Sequence, residues 1–147
     1  PYGEKILSVI RQYSDAVVLV GSGTWSQDVH QAAADPISGR NIMYTCHFYA
    51  GTHTDWLRTR IDEALAKGAP IFISEWGCSA AEGSGGVFLE ESKRWMDFLD
   101  QRKISWANWS LCDKQETSAA LNPGASPEGG YTDEELSPSG KFVFSQF

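Results

Sequence analysis

Four short runs of β-branched, aliphatic or aromatic residues punctuate the chain: Ala16–Gly21 (AVVLVG), Asn41–Phe48 (NIMYTCHF), Pro70–Ser74 (PIFIS) and Ile104–Ser110 (ISWANWS). The first and third are almost wholly apolar, which predicts strands covered on both faces of a parallel sheet. Helical spacing fills the intervals. Ile6, Leu7, Ile10 and Tyr13 recur within Tyr2–Tyr13, and Leu57, Ile61, Ala64 and Leu65 form a stripe behind Thr54 as a helix N-cap. Phe88, Trp95, Met96 and Leu99 share one face of Val87–Gln101, and Ser137-Pro138 reads as N-cap and first residue of a last helix running to Phe147. Gln27–Ala34 reads as a short helix or turn.

Strand–helix units repeating at roughly 30 residues imply right-handed βαβ crossovers and a parallel sheet. The expected class is α/β, with four parallel strands. A Gly/Pro-rich stretch, Asn122–Tyr131, reads as a long loop. Four units are too few for a closed (β/α)8 barrel, which takes about 250 residues. An open doubly wound sheet carries a Gly-rich phosphate loop after its first strand. Here that position is Gly21-Ser22-Gly23-Thr24-Trp25, which lacks the third glycine and sets an indole where a pyrophosphate would lie, so no nucleotide site is expected.

The chain has 147 residues, which implies one domain over 1–147, and 41% hydrophobic and 21% charged residues are ordinary for a globular protein. No stretch approaches the roughly 20 apolar residues of a membrane span, so no membrane partner is expected. Twelve Lys and Arg against nineteen Asp and Glu give a net charge of −7, which argues against nucleic acid. Six Trp, five Tyr and seven Phe exceed what a small core needs and suit a site that stacks on sugar rings. Cys46, Cys78 and Cys112 are widely spaced and form no CxxC, so they read as small buried side chains rather than a disulfide framework or zinc site. The chain opens at Pro1 without a signal-like segment, which suggests a mature or trimmed piece.

In parallel α/β folds the reactive residues gather at the carboxyl ends of strands. Glu75 follows a near-apolar strand directly, and a carboxylate there needs a job or a partner such as Lys114. His47 and Tyr49, two apart at a strand end, can face one side and hold Glu75 through a hydroxyl donor; a satisfied structural His with a packed Tyr is the competing reading. His47, His53 and Glu75 match no familiar metal-ligand spacing, so no metal is expected. Trp109 can offer a flat face to a sugar, with Trp106 in the core, and Lys114 and Glu116 can bind hydroxyls or form a solvated pair. No serine sits in a GxSxG elbow.

Five motifs occur in order: GSGTWSQ (Gly21–Gln27), HFYAGTH (His47–His53), FISEWG (Phe72–Gly77), SWANWSL (Ser105–Leu111) and LSPSG (Leu136–Gly140). Together they resemble the C-terminal half of bacterial endo-β-1,4-glucanases of glycoside hydrolase family 5, over essentially the whole chain. The resemblance implies half of a TIM (β/α)8 barrel, strands five to eight, from a retaining glycosidase that needs no cofactor. It implies Glu75 as nucleophile, His47 and Tyr49 beside the reacting sugar, and Trp109 as its platform. It further implies that Lys114 and Glu116 bind hydroxyls of the preceding sugar, and that Trp25 and Ala81 line the cleft. The substrate implied is a β-1,4-linked glucan, met outside the cell, which makes the protein secreted. The three cysteines stand where other residues are expected. The family's acid/base glutamate lies in an Asn-Glu-Pro motif that does not occur here, so the chain supplies one of the two carboxyl groups. Half a barrel exposes two sheet edges, so a homodimer closing an eight-stranded barrel is expected.

Overall fold

The computed structural model describes residues 2–147. In order, the elements are α1 (Tyr2–Ile10), β1 (Val18–Val20), α2 (Gly23–Ser26), α3 (Val29–Ala34), β2 (Ile42–Tyr49), α4 (Asp55–Ala66), β3 (Ile71–Gly77), α5 (Leu89–Arg102) and α6 (Pro138–Phe144). The strands form one sheet in the order β1-β2-β3. β1 and β2 are parallel, with Val18 opposite Ile42 and Val20 opposite Tyr44. Tyr44 N donates to Pro70 O, and further along Ala50 N donates to Gly77 O, so β2 and β3 also advance in one direction. No helix is long and apolar enough to cross a membrane among the described residues.

The sheet has three parallel strands rather than the four expected. The run Ile104–Ser110 is not a full strand: Trp106 makes a single bridge, Trp109 N donates to Trp76 O of β3, and the backbone N–H groups of Ile104 and Ser110 turn to Leu99 O and Ser118 O. β1 likewise departs from burial on both faces. It lies at the edge of the sheet order, and Leu19 is 42% exposed. The helix stripes are covered unevenly. Leu57, Ile61 and Ala64 of α4 are buried, whereas Ile6 and Tyr13 of the first helical segment are exposed and only Leu7 is covered.

The described residues fall into two compact units, one running to His47 and including Asp55–Ser74, the other formed by Phe48–Thr54 and Glu75–Phe147. In the first, α3 and α4 pack together and Val29, Cys46, Leu57, Ile61 and Ile73 are fully buried. The second has an aromatic core. Phe48 stacks on Trp95 with ring centroids 3.9 Å apart and on Trp76 at 5.5 Å, and Trp106 meets Trp76 edge-on. The last helix starts as its sequence directs: Ser137 Oγ accepts from Gly140 N at 3.0 Å and Pro138 follows it. A Cβ on Gly140 would overlap the carbonyl oxygen of Ala120, so glycine is what lets α6 dock there.

Asn122–Tyr131 is a loop, as its composition predicts, and it is internally braced. An isolated antiparallel bridge joins Leu121 to Leu136 at its neck. The Glu135 carboxylate accepts from Ser126 N and Thr132 N. All three cysteines are free thiols, Cys46 and Cys78 buried and Cys112 half-buried. Burial pushes the Cys46 thiol up to about 12, which keeps it unreactive.

Candidate active site

β2 and β3 both end in polar residues. At the end of β3, Glu75 is half-buried and Gly77 closes the strand. At the end of β2, Tyr49 is buried, and its hydroxyl donates to Glu75 Oε1 at 2.8 Å. Burial, and then the Glu75 carboxylate, raise the pKa of the Tyr49 phenol above its ordinary value of 10.0. The phenol therefore keeps its proton at neutral pH and acts as a donor. The pairing open in the sequence, Glu75 with Lys114, is replaced by Glu75 with Tyr49.

The Tyr49 ring packs against Gly77. A Cβ there would sit 2.8 Å from Tyr49 Cδ1 and Cε1 and 3.5 Å from the Trp109 carbonyl. The backbone of Tyr49 is gripped from the other side by His53. Its Nδ1 accepts from Tyr49 N at 2.8 Å, and Trp95 Nε1 donates to His53 O at 2.8 Å. His53 is thus a buried structural histidine. Burial lowers its pKa, offset in part by the Tyr49 backbone.

Trp109 is half-exposed and follows directly on the strand-end bonds to Trp76 O, which accepts from Trp109 N and, at 2.9 Å, from Asn108 Nδ2. The Trp109–Ser110 peptide bond is cis. Lys114 and Glu116 form an ion pair at 2.6 Å, and Ser118 Oγ donates to the second Glu116 oxygen at 2.7 Å. The Lys114 ammonium, then the Ser118 hydroxyl, hold the Glu116 carboxyl below the ordinary range, while Glu116 raises Lys114. Glu116 is therefore ionised with both oxygens engaged, which makes it a poor proton donor. Ala81 is exposed, and its N–H donates to Thr52 Oγ1 at 2.9 Å.

Two expected residues belong to the other compact unit. His47 is half-buried, and its Nε2 lies 2.8 Å from Ser74 Oγ. Trp25 is 84% exposed and sits in α2, a single turn in which Thr24 and Trp25 leave the right-handed helical region. Each left-handed non-glycine residue costs about 1–2 kcal/mol. Sequence reasoning missed the residues that hold these groups: Ser74, Thr52, Ser118, and His53 as an anchor for Tyr49. Ser74 and Thr52 are reached from distant parts of the chain, whereas His53 lies in the same short motif as Tyr49 and Ser118 two residues beyond Glu116. Among the described residues, no group of three or more His, Cys, Asp and Glu is placed to hold a metal ion.

A parallel α/β sheet with its polar side chains at the carboxyl ends of the strands is the layout of the barrel-type α/β enzymes. Known proteins narrow that class. The profile of cellulase (glycosyl hydrolase family 5) matches residues 1–115, and the chain belongs to that family. Endoglucanase A of Evansella cellulosilytica is 58% identical over 144 residues, covering 97% of this chain and 30% of that protein. Endoglucanase 5 of Pectobacterium carotovorum subsp. carotovorum is 56% identical over 147 residues, covering 99% of this chain and 29% of its own length. A solved structure from Cytophaga hutchinsonii superposes with a TM-score of 0.97 at 47% identity, covering 99% of this chain and 48% of that one. Cellulase Cel5C_n does so at 0.93 and 48% identity, with 99% and 45% covered. The chain thus spans under a third of these curated relatives and about half of these solved chains.

Proposed function

We propose that this chain is the nucleophile-bearing half of a retaining β-1,4-glucanase, corresponding to barrel strands five to eight. The observation that carries this reading is the Tyr49 hydroxyl donating to the Glu75 carboxylate at 2.8 Å, at the carboxyl ends of adjacent strands. A carboxylate held by a phenol hydroxyl donor at a strand end suits a glycosidic nucleophile. Glu75 attacks the anomeric carbon, and the bond to the glycosidic oxygen breaks as that oxygen takes a proton from the acid. Water, deprotonated by the same group, then releases the sugar from Glu75 with its configuration retained. His47 and Tyr49 orient the reacting sugar, and Trp109 stacks beneath it. Lys114 and Glu116 bind hydroxyls of the sugar before it, and Trp25 and Ala81 line the cleft. The reaction calls for no cofactor. Extracellular action on the polymer follows from the same reading and makes the protein secreted.

The acid must come from outside these residues, about 5–5.5 Å from Glu75 in a retaining enzyme. Glu116, held ionised by Lys114 and Ser118, does not fill that role. A complementary (β/α)4 half supplies it, either as more of the same polypeptide or as a second copy of this chain in a homodimer. The test is hydrolysis of a soluble β-1,4-glucan by the purified chain over a range of concentrations, alone and mixed with the first-half segment of a close relative, beside Glu75→Gln. Activity of the mixture that disappears in Glu75→Gln supports the reading. Activity of the chain alone that rises faster than linearly with concentration assigns the missing half to a second copy. A mixture equally active with and without the substitution sinks Glu75 as the nucleophile.

A further inference from the structure

Thr24, Trp25 and Ser26 are left-handed in succession, with φ of 51°, 50° and 62°. One such non-glycine residue is uncommon, and a β-branched Thr is an outlier. The strain buries nothing at its centre, since the Trp25 side chain stands in solvent. Such a conformation persists only where its surroundings over-determine it. Here they do. Thr24 Oγ1 donates to Asp28 Oδ2 at 2.7 Å, and Arg60 Nη1, from α4, donates to Asp28 Oδ1 at 2.9 Å. The Arg60 guanidinium lies 5.0 Å from the centroid of the Trp56 ring. Thr45 Oγ1, from β2, donates to Ser26 Oγ at 2.9 Å. The N–H groups of Gln27 and Asp28 both donate to the Gly23 carbonyl. A Cβ at Gly23 would lie 2.8 Å from Asp28 Oδ2, so this glycine lets the carboxylate close over the turn.

We propose that Asp28, braced by Arg60, is a positioning residue that locks this left-handed turn so that Trp25 presents its indole, already ordered, to a glucosyl ring of the glucan chain. The inference rests on the glucan reading above. The sugars of a β-1,4-glucan carry equatorial hydroxyls and flat faces of C–H groups, and such faces stack on an indole. An indole on a free loop would lose conformational freedom on binding, and a locked turn has lost it in advance. That gives the strain a return in binding that it lacks in folding.

The test is calorimetric titration of cellopentaose into the chain carrying Glu75→Gln, so that no bond is cleaved, well below the melting temperature of every variant. Trp25→Ala and Asp28→Ala are each expected to weaken binding roughly tenfold. The double variant is expected to bind no more weakly than either single one, because one substitution already removes what the other acts through. Thr24→Gly added to Asp28→Ala is expected to recover part of the loss, since glycine occupies positive φ freely. A merely structural Asp28 would lower the melting temperature without this coupling or rescue. Asp28→Ala binding as tightly as its parent while Trp25→Ala loses affinity overturns the proposal. Trp25→Ala binding unchanged beside a parent that binds overturns it too, and leaves the reading of Glu75 standing. A parent that binds no cellopentaose, alone or with its complementary half, overturns the glucan reading and this inference together.

Discussion

The Tyr49 hydroxyl donates to Glu75 Oε1 at 2.8 Å, joining the ends of two neighbouring strands. This bond ties the carboxylate to a hydroxyl donor fixed on the neighbouring strand. Tyr49→Phe keeps the ring and removes the donor. A hydrogen bond to a charged group contributes about 1.5–3 kcal/mol, so kcat on a soluble glucan is expected to fall about 10- to 100-fold in the active assembly. The melting temperature should hardly move. A full-rate Tyr49→Phe enzyme would remove Tyr49 from the chemistry.

Gly77 sets where that phenol lies. An added Cβ would fall 2.8 Å from two carbons of the Tyr49 ring, closer than carbon atoms approach without displacement. Overpacking of this kind costs about 1–3 kcal/mol. Gly77→Ala is therefore expected to lower the melting temperature by several degrees, since about 1 kcal/mol moves Tm by roughly 2–4 °C at this size. It should also slow catalysis, because the ring carries its hydroxyl away from Glu75. Melting and rate measured on one preparation check both effects, and an unchanged Tm would mean the ring yields freely.

Much of this architecture is legible in the chain, and the reasons differ by element. β2 and β3 read clearly because their apolar runs are long, and the helix positions Leu57, Ile61 and Trp95 read as core and are buried. Ile104–Ser110 reads as a strand from composition, and it pairs only in part: Trp106 makes one bridge and Trp109 N reaches Trp76 O of β3, while Ser110 N turns to the loop at Ser118. The end of helix α1 misleads in the same way: Tyr13 completes the helical spacing but is exposed, because spacing says which residues share a face and not whether anything covers that face. At the site, Glu75 and Tyr49 stand out in the sequence by their places at strand ends, and the structure joins them by a hydrogen bond. The left-handed turn at Thr24–Ser26 does not stand out there, since Thr, Trp and Ser carry no signal for positive φ. It follows from Gly23, Asp28 and Arg60 acting together, and Arg60 lies 32 residues beyond Asp28.

Lys114 and Glu116 test how an exposed ion pair acts on a sugar. They are joined at 2.6 Å, with side chains 71% and 21% exposed. Surface pairs contribute little to folding, so Lys114→Met should leave the melting temperature in place. It removes an ammonium donor and releases Glu116 from its partner. Affinity for cellopentaose is expected to fall roughly tenfold with kcat little changed, a loss confined to KM. An equal loss in kcat would place Lys114 nearer the reacting sugar than this reading does.

His53 gives the site a pH dependence with a defined sign. Its Nδ1 lies 2.8 Å from Tyr49 N, which donates to it when that nitrogen carries no proton, and 3.2 Å from Tyr49 O, to which it donates when it does. Burial, only partly offset by the Tyr49 backbone, lowers the folded pKa below the ordinary 6.5. Below pH 6.5 the unfolded chain therefore takes up a proton that the folded chain refuses. The stability linked to His53 is fully present above the unfolded pKa and is lost as pH falls from there through the folded pKa. His53→Asn replaces the ring nitrogen with an amide oxygen that can accept the same bond and does not titrate. Melting temperature measured from pH 7.5 to 5 should decline more steeply in the parent than in His53→Asn. The other two histidines of the chain are common to both proteins and cancel in the comparison. Because His53 holds the backbone whose side chain holds Glu75, the acid limb of the rate profile should shift in the same variant. Identical melting slopes would mean that protonation of His53 is absorbed without loss, and that Tyr49 is anchored by its ring against Gly77 instead.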